Sequence, residues 1–91
     1  MILKQKASAG TAEGADVIVT IEPAEAGREL EIKSIVKAVF GGAIEKTATE
    51  VLDEFGIASC KMSLSDQGAL DCTLRARVET AILRACGEVT A

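Results

Sequence analysis

The stretch ELEIKSIVKAVFGGAI, Glu29 to Ile44, contains the change of period on which the fold turns. Its first five residues alternate, with Leu30 and Ile32 on one face and Glu29, Glu31 and Lys33 on the other, as in a half-buried strand. From Ser34 onward the apolar residues recur at three and four. Ile35, Val36, Val39, Phe40, Ala43 and Ile44 lead on to Ala48, Val51, Leu52 and Phe55. That is the stripe of an amphipathic helix of about five turns. Ser34 suits an N-cap and Gly56 a C′ residue. Gly41-Gly42 lies inside the run, where each glycine costs about 1 kcal/mol relative to alanine. A break, an offset start or a close packing contact is expected there.

Upstream, Asp16-Val17-Ile18-Val19-Thr20-Ile21 is β-branched, with Val17, Val19 and Ile21 on one face. Pro23 ends this strand and PAEAG, Pro23 to Gly27, turns the chain. The two strands are expected to pair as an antiparallel hairpin. Downstream, Cys60, Met62 and Leu64 alternate as a third strand, and Ser65 to Gly68 turns the chain. Leu70, Leu74, Val78, Ala81, Ile82 and Ala85 then mark a second helix ending near Gly87. Residues 1–15 have no clear period and many small side chains (KASAGTAEGA, Lys6 to Ala15), and read as a mobile N-terminal arm. The order β-β-α-β-α predicts an α+β fold, a three-stranded, largely antiparallel sheet covered on one face by two helices, in a single domain over 1–91.

Composition narrows the function. With two aromatics, Phe40 and Phe55, the core must be built from Val, Ile, Leu and Ala, and there is little to line a substrate pocket. There is no histidine, so no imidazole base and no Ser-His or Cys-His pair. Cys60, Cys72 and Cys86 lack CxxC spacing and read as reduced thiols serving as small buried hydrophobes; on one helix, Cys72 and Cys86 would stand ~21 Å apart. A net charge of −4 without a basic cluster argues against nucleic acid and anionic membrane as partners. No apolar run is long enough for a membrane span or a signal peptide, so the expected location is the cytoplasm.

Three stretches resemble the acyl carrier (gamma) subunit family of citrate lyase. They are AGTAEGADVIVTI at Ala9 to Ile21, LEIKSIVKAVFGGAI at Leu30 to Ile44 and DQGALDCTLRARVETAILRA at Asp66 to Ala85, within which GALDCTLRAR, Gly68 to Arg77, is the most specific. The resemblance implies a carrier with no catalytic residue. Proteins of this kind bear a phosphoribosyl dephospho-CoA arm on a serine near the N-terminus, placed there by a prosthetic-group transferase. The arm's thiol holds an acetyl or citryl group for transferase (alpha) and lyase (beta) subunits, which cleave citrate to acetate and oxaloacetate. A covalent tether replaces diffusion with a high effective concentration.

The resemblance places a Glu, the acceptor serine, a small residue and an Asp just before the first strand. This chain reads Glu13-Gly14-Ala15-Asp16. Gly14, at the acceptor position, has no hydroxyl and cannot form the phosphodiester. The expectations are therefore a carrier body that cannot be loaded at residue 14, a shift of attachment to Ser8 or Thr11, or an assembly subunit that keeps the carrier fold without the arm. Asp16 is expected to orient the modified loop or to be recognised by the loading enzyme, or else to be a strand-edge charge, and Glu13 likewise. Arg75 and Arg77 point different ways from one helix, and either contact phosphates or an acidic partner, or support Asp71 and Glu79 as a solvated pair. Lys4 and Lys6 are candidates for screening the arm's phosphates, and Glu45 to Glu54 for the wet face of the first helix.

Overall fold

The structure, a computed structural model, describes residues 2–34 and 37–87. In chain order the elements are β1 (Ala7–Ala9), β2 (Val17–Glu22), β3 (Arg28–Ser34), α1 (Lys37–Glu54), β4 (Cys60–Asp66) and α2 (Asp71–Ala85). The strands form one four-stranded sheet in the order β1-β2-β4-β3. β2 runs antiparallel to β1 and β4, whereas β3 runs parallel to β4, with Arg28 beside Cys60 and Ser34 beside Asp66.

This corrects the expected sheet in two respects. β2 and β3 do not form a hairpin, because β4 is inserted between them. The inward residues of β4, Cys60, Met62 and Leu64, are all buried, and such a strand needs a neighbour on each side. Leu30 and Ile32 are only half-buried and alternate with exposed charges, which suits the edge that β3 occupies. Parallel strands need a crossover, and α1 supplies it between β3 and β4. The second correction is the fourth strand. Ala7–Ala9 lies inside the segment assigned to the N-terminal arm, with Ala7 opposite Ile21 and Ala9 opposite Val19.

The two helices lie on one face of the sheet, as expected: α2 packs on β1 and β2, and α1 on β3 and α2. Val17, Val19, Ile21, Met62 and Leu64 meet Ile44, Ala48, Val51, Leu52, Leu74, Val78 and Ile82 in a single core. The opposite face is polar, with the row Ser8, Thr20, Ser63 and Glu31 running across all four strands. None of the described helices is long and apolar enough to cross a membrane.

α1 runs unbroken through Gly41-Gly42, so no break occurs there, and Gly42 is exposed with nothing within 4 Å of an added Cβ, so it makes no close packing contact. Packing of Ile44, Ala48, Val51 and Leu52 outweighs the glycine cost. Ala43 is exposed instead of facing the core. Ser34 ends β3 instead of capping α1, and residues 35 and 36 lie outside the described residues. Gly56 ends α1 as expected. Its φ of 66° lets its amide donate to the Asp53 carbonyl at 3.1 Å and that of Ile57 to Leu52 at 2.9 Å, a Schellman closure.

Leu70, expected in the apolar stripe of α2, is the N-cap residue and is 69% exposed. The entry to α2 is organised by Asp66, whose buried carboxylate accepts from the Ser34 hydroxyl at 2.7 Å and from the amides of Gly68 and Ala69 at 3.1 and 2.9 Å.

Candidate functional site

The loop from Gly10 to Asp16 joins β1 to β2 and contains all three residues singled out from the sequence: Glu13, Gly14 and Asp16. It opens on a glycine of necessity. Gly10 has a φ of 101°, and a Cβ there would be driven into the carbonyl of Val17. The chain then makes a tight turn over 13–16, in which the Asp16 amide donates to the Glu13 carbonyl at 3.2 Å. Ala15 takes the left-handed conformation at its third position, φ 63°, as a type II turn requires. Gly14 holds the second position, where φ is not left-handed and a Cβ would meet nothing within 4 Å. The backbone does not demand glycine at residue 14, and a side chain there would project into open space.

The turn is pinned from two directions. The Ala15 amide donates to the Gln67 carbonyl and the Gln67 amide to the Asp16 carbonyl, each at 2.8 Å, which extends the β2–β4 pairing by one step. The Asp16 carboxylate then gathers four donors. Oδ1 accepts from the Val17 amide at 2.8 Å and Arg77 Nε at 3.0 Å; Oδ2 accepts from the Thr11 hydroxyl at 2.6 Å and Arg77 Nη2 at 3.0 Å. The Arg77 guanidinium, followed by the Thr11 hydroxyl and the Val17 amide, holds the Asp16 carboxyl far below the usual carboxylate range. The Asp16 side chain is only 13% exposed, whereas Glu13 faces solvent.

Sequence reading placed Glu13, Gly14 and Asp16 together but missed their tie to Arg77, 61 residues from Asp16. The local alternatives weighed for the arginines do not account for their partners. Arg77 pairs with Asp16, and Arg75 pairs with Glu50 at 2.8 Å and Glu54 at 3.0 Å, joining α2 to α1. Two carboxylates of the expected wet face are therefore inter-helix contacts. Asp71 accepts from the Thr47 hydroxyl at 2.6 Å. Lys4 and Lys6 precede Ala7, which pairs with Ile21, so they lie toward the end of β2 away from the turn.

An ester to a phosphate-bearing arm needs a hydroxyl oxygen, and Gly14 offers none, so the residues of the turn do not fit such a group at this position. The Thr11 hydroxyl is engaged by Asp16 and accepts from the Glu13 amide at 3.3 Å. Ser8 lies within β1, paired with Thr20 on the polar sheet face. Cys60 and Cys86 are buried as expected, whereas Cys72, on the outer side of α2, is exposed, and no disulfide joins them. Among the described residues no three His, Cys, Asp or Glu side chains are grouped to hold a metal.

Residues 4–85 match the family described as ACP, malonate decarboxylase delta subunit (MdcD). The citrate lyase acyl carrier protein of Treponema denticola is 49% identical over 85 residues, spanning 93% of this chain and 97% of that protein. The citrate lyase acyl carrier protein of Klebsiella pneumoniae is 50% identical over 86 residues, spanning 93% of this chain and 89% of its own length. The fold is shared with a chain in the crystal structure of a Pseudomonas malonate decarboxylase hetero-tetramer in complex with malonate. The TM-score is 0.74 at 17% identity, over 90% of this chain and 84% of that one.

Proposed function

Because this chain belongs to the acyl carrier family of citrate lyase and malonate decarboxylase, we propose that it is the non-catalytic acyl carrier subunit of a cytoplasmic citrate lyase complex, with residue 14 as the acceptor position. The observation that carries the reading is the turn at 13–16. It is exposed and pinned to the sheet, and it has room for a side chain at its second residue. The arm proposed for such a carrier is phosphoribosyl dephospho-CoA, bearing the acetyl or citryl thioester between transferase (alpha) and lyase (beta) subunits. With glycine at residue 14, this chain keeps the body that those subunits would dock with and lacks the oxygen on which the arm is built.

Intact mass measured after incubation with the prosthetic-group transferase and the activated arm tests this. The expected result is no adduct on this chain and one adduct, mapped to residue 14, on Gly14→Ser. An adduct on Ser8 or Thr11 of the unaltered chain would overturn it. The missing hydroxyl also favours a second reading, an assembly subunit that keeps the carrier fold without the arm. The two separate on cleavage activity of the reconstituted complex. Dependence on Gly14→Ser marks a carrier lacking its acceptor, and activity indifferent to residue 14 marks an assembly subunit.

A further inference from the structure

We infer that Arg77 is a positioning residue for the acceptor turn, holding residue 14 in the one orientation in which a loading enzyme meets it. This rests on the reading of residue 14 as the acceptor position. The turn has two features that do not sustain themselves. Ala15 sits in a left-handed conformation that an alanine adopts only at a cost. The segment also passes, between Gly10 and Asp16, through exposed residues with no apolar anchor. What holds it is the pair of backbone bonds to Gln67 and the Asp16 carboxylate.

Of the four donors on that carboxylate, the Val17 amide and the Thr11 hydroxyl belong to the same strand and loop and move with it. Both Arg77 bonds come from α2, whose neighbours Leu74, Val78, Ala81 and Ile82 are buried in the core. The guanidinium grips both carboxylate oxygens at 3.0 Å, a two-point contact that fixes angle as well as distance. The orientation of the turn is thereby referred to the helix. With lysine in place of arginine the charge would remain and the fork would be lost.

The test uses the full chain carrying Gly14→Ser, alone and combined with Arg77→Gln or Arg77→Lys. The measurements are loading rate by mass, amide hydrogen exchange at Ala15 and Asp16, and thermal midpoint. Arg77→Gln is expected to slow loading about tenfold and to speed exchange at both amides, while amides of β4 stay protected. Arg77→Lys is expected to recover part of the loading rate. Unchanged loading and unchanged exchange in Arg77→Gln overturn the inference, as does slowed loading that only tracks a fall in the thermal midpoint. If Gly14→Ser takes up no arm at all, it is the reading of residue 14 that fails. Arg77 is then judged on exchange alone, faster exchange upholding its hold on the turn and unchanged exchange ending it.

Discussion

Gly10 and Gly14, four residues apart in one loop, make opposite demands on the chain. A Cβ on Gly10 would run into the carbonyl of Val17, whereas one on Gly14 would meet nothing within 4 Å. Gly10→Ala combines a left-handed φ with a backbone collision and should destabilise the fold by more than about 3 kcal/mol. Gly14→Ala should change stability by less than about 1 kcal/mol, on the stabilising side, through the unfolded chain. Urea denaturation midpoints of the two variants check both; equal losses would contradict the geometry of the loop.

Asp16 makes part of the stability depend on acid. Its carboxyl is held below its ordinary value of 3.8 by Arg77, Thr11 and the Val17 amide. A group depressed in the fold contributes stability that is fully present above its unfolded value and is lost as pH falls through the folded one. Thermal midpoints of this chain and of Asp16→Asn should therefore differ at pH 7 and converge as pH drops below about 4. A gap that stays constant down to pH 2 would mean that the carboxylate is not held in this way.

Asp66 is the carboxylate on which the α2 entry depends. Replacing it with alanine leaves the amides of Gly68 and Ala69 and the hydroxyl of Ser34 without the acceptor they now share. Asp66→Ala should cost about 3 kcal/mol, with Asp66→Asn between it and the unaltered chain. Denaturant titration followed by far-UV circular dichroism measures the order of the three.

The cysteines differ in access. Burial pushes the Cys60 thiol up from its ordinary value, which lowers its thiolate fraction, and Cys86 is also buried, while Cys72 stands exposed on α2. Iodoacetamide at neutral pH should alkylate Cys72 first and reach the other two only on unfolding. Peptide mapping of a singly alkylated sample decides it, and early label on Cys60 would sink the assignment.

The parts of the fold that were legible in the sequence are those written locally. Val17, Val19 and Ile21, and Cys60, Met62 and Leu64, show their strands by alternation because one face of each is buried. Pairing was not legible in that way. A five-residue turn after Ile21 favours a hairpin on local grounds, and nothing near Glu29 signals that β4 intervenes. What settles it is the need to bury both sides of β4, a property of the assembled sheet. β1 is not legible because Ala-Ser-Ala has almost no apolar contrast. In the candidate site, Glu13, Gly14 and Asp16 stood out as neighbours, but Arg77 had several acids within reach of its helix and no mark pointing to Asp16.

The position of β4 has a consequence for how the chain is made. The strand synthesised last is the one on which the sheet is centred, since Val17 meets Asp66 and Arg28 meets Cys60 across it. Until Asp66 has emerged from the ribosome, β2 and β3 have no common seam, and the N-terminal half has only the three-residue pairing of β1 to rest on. Such pairings between distant segments close slowly. The sheet therefore cannot close before β4 is available to join β2 to β3.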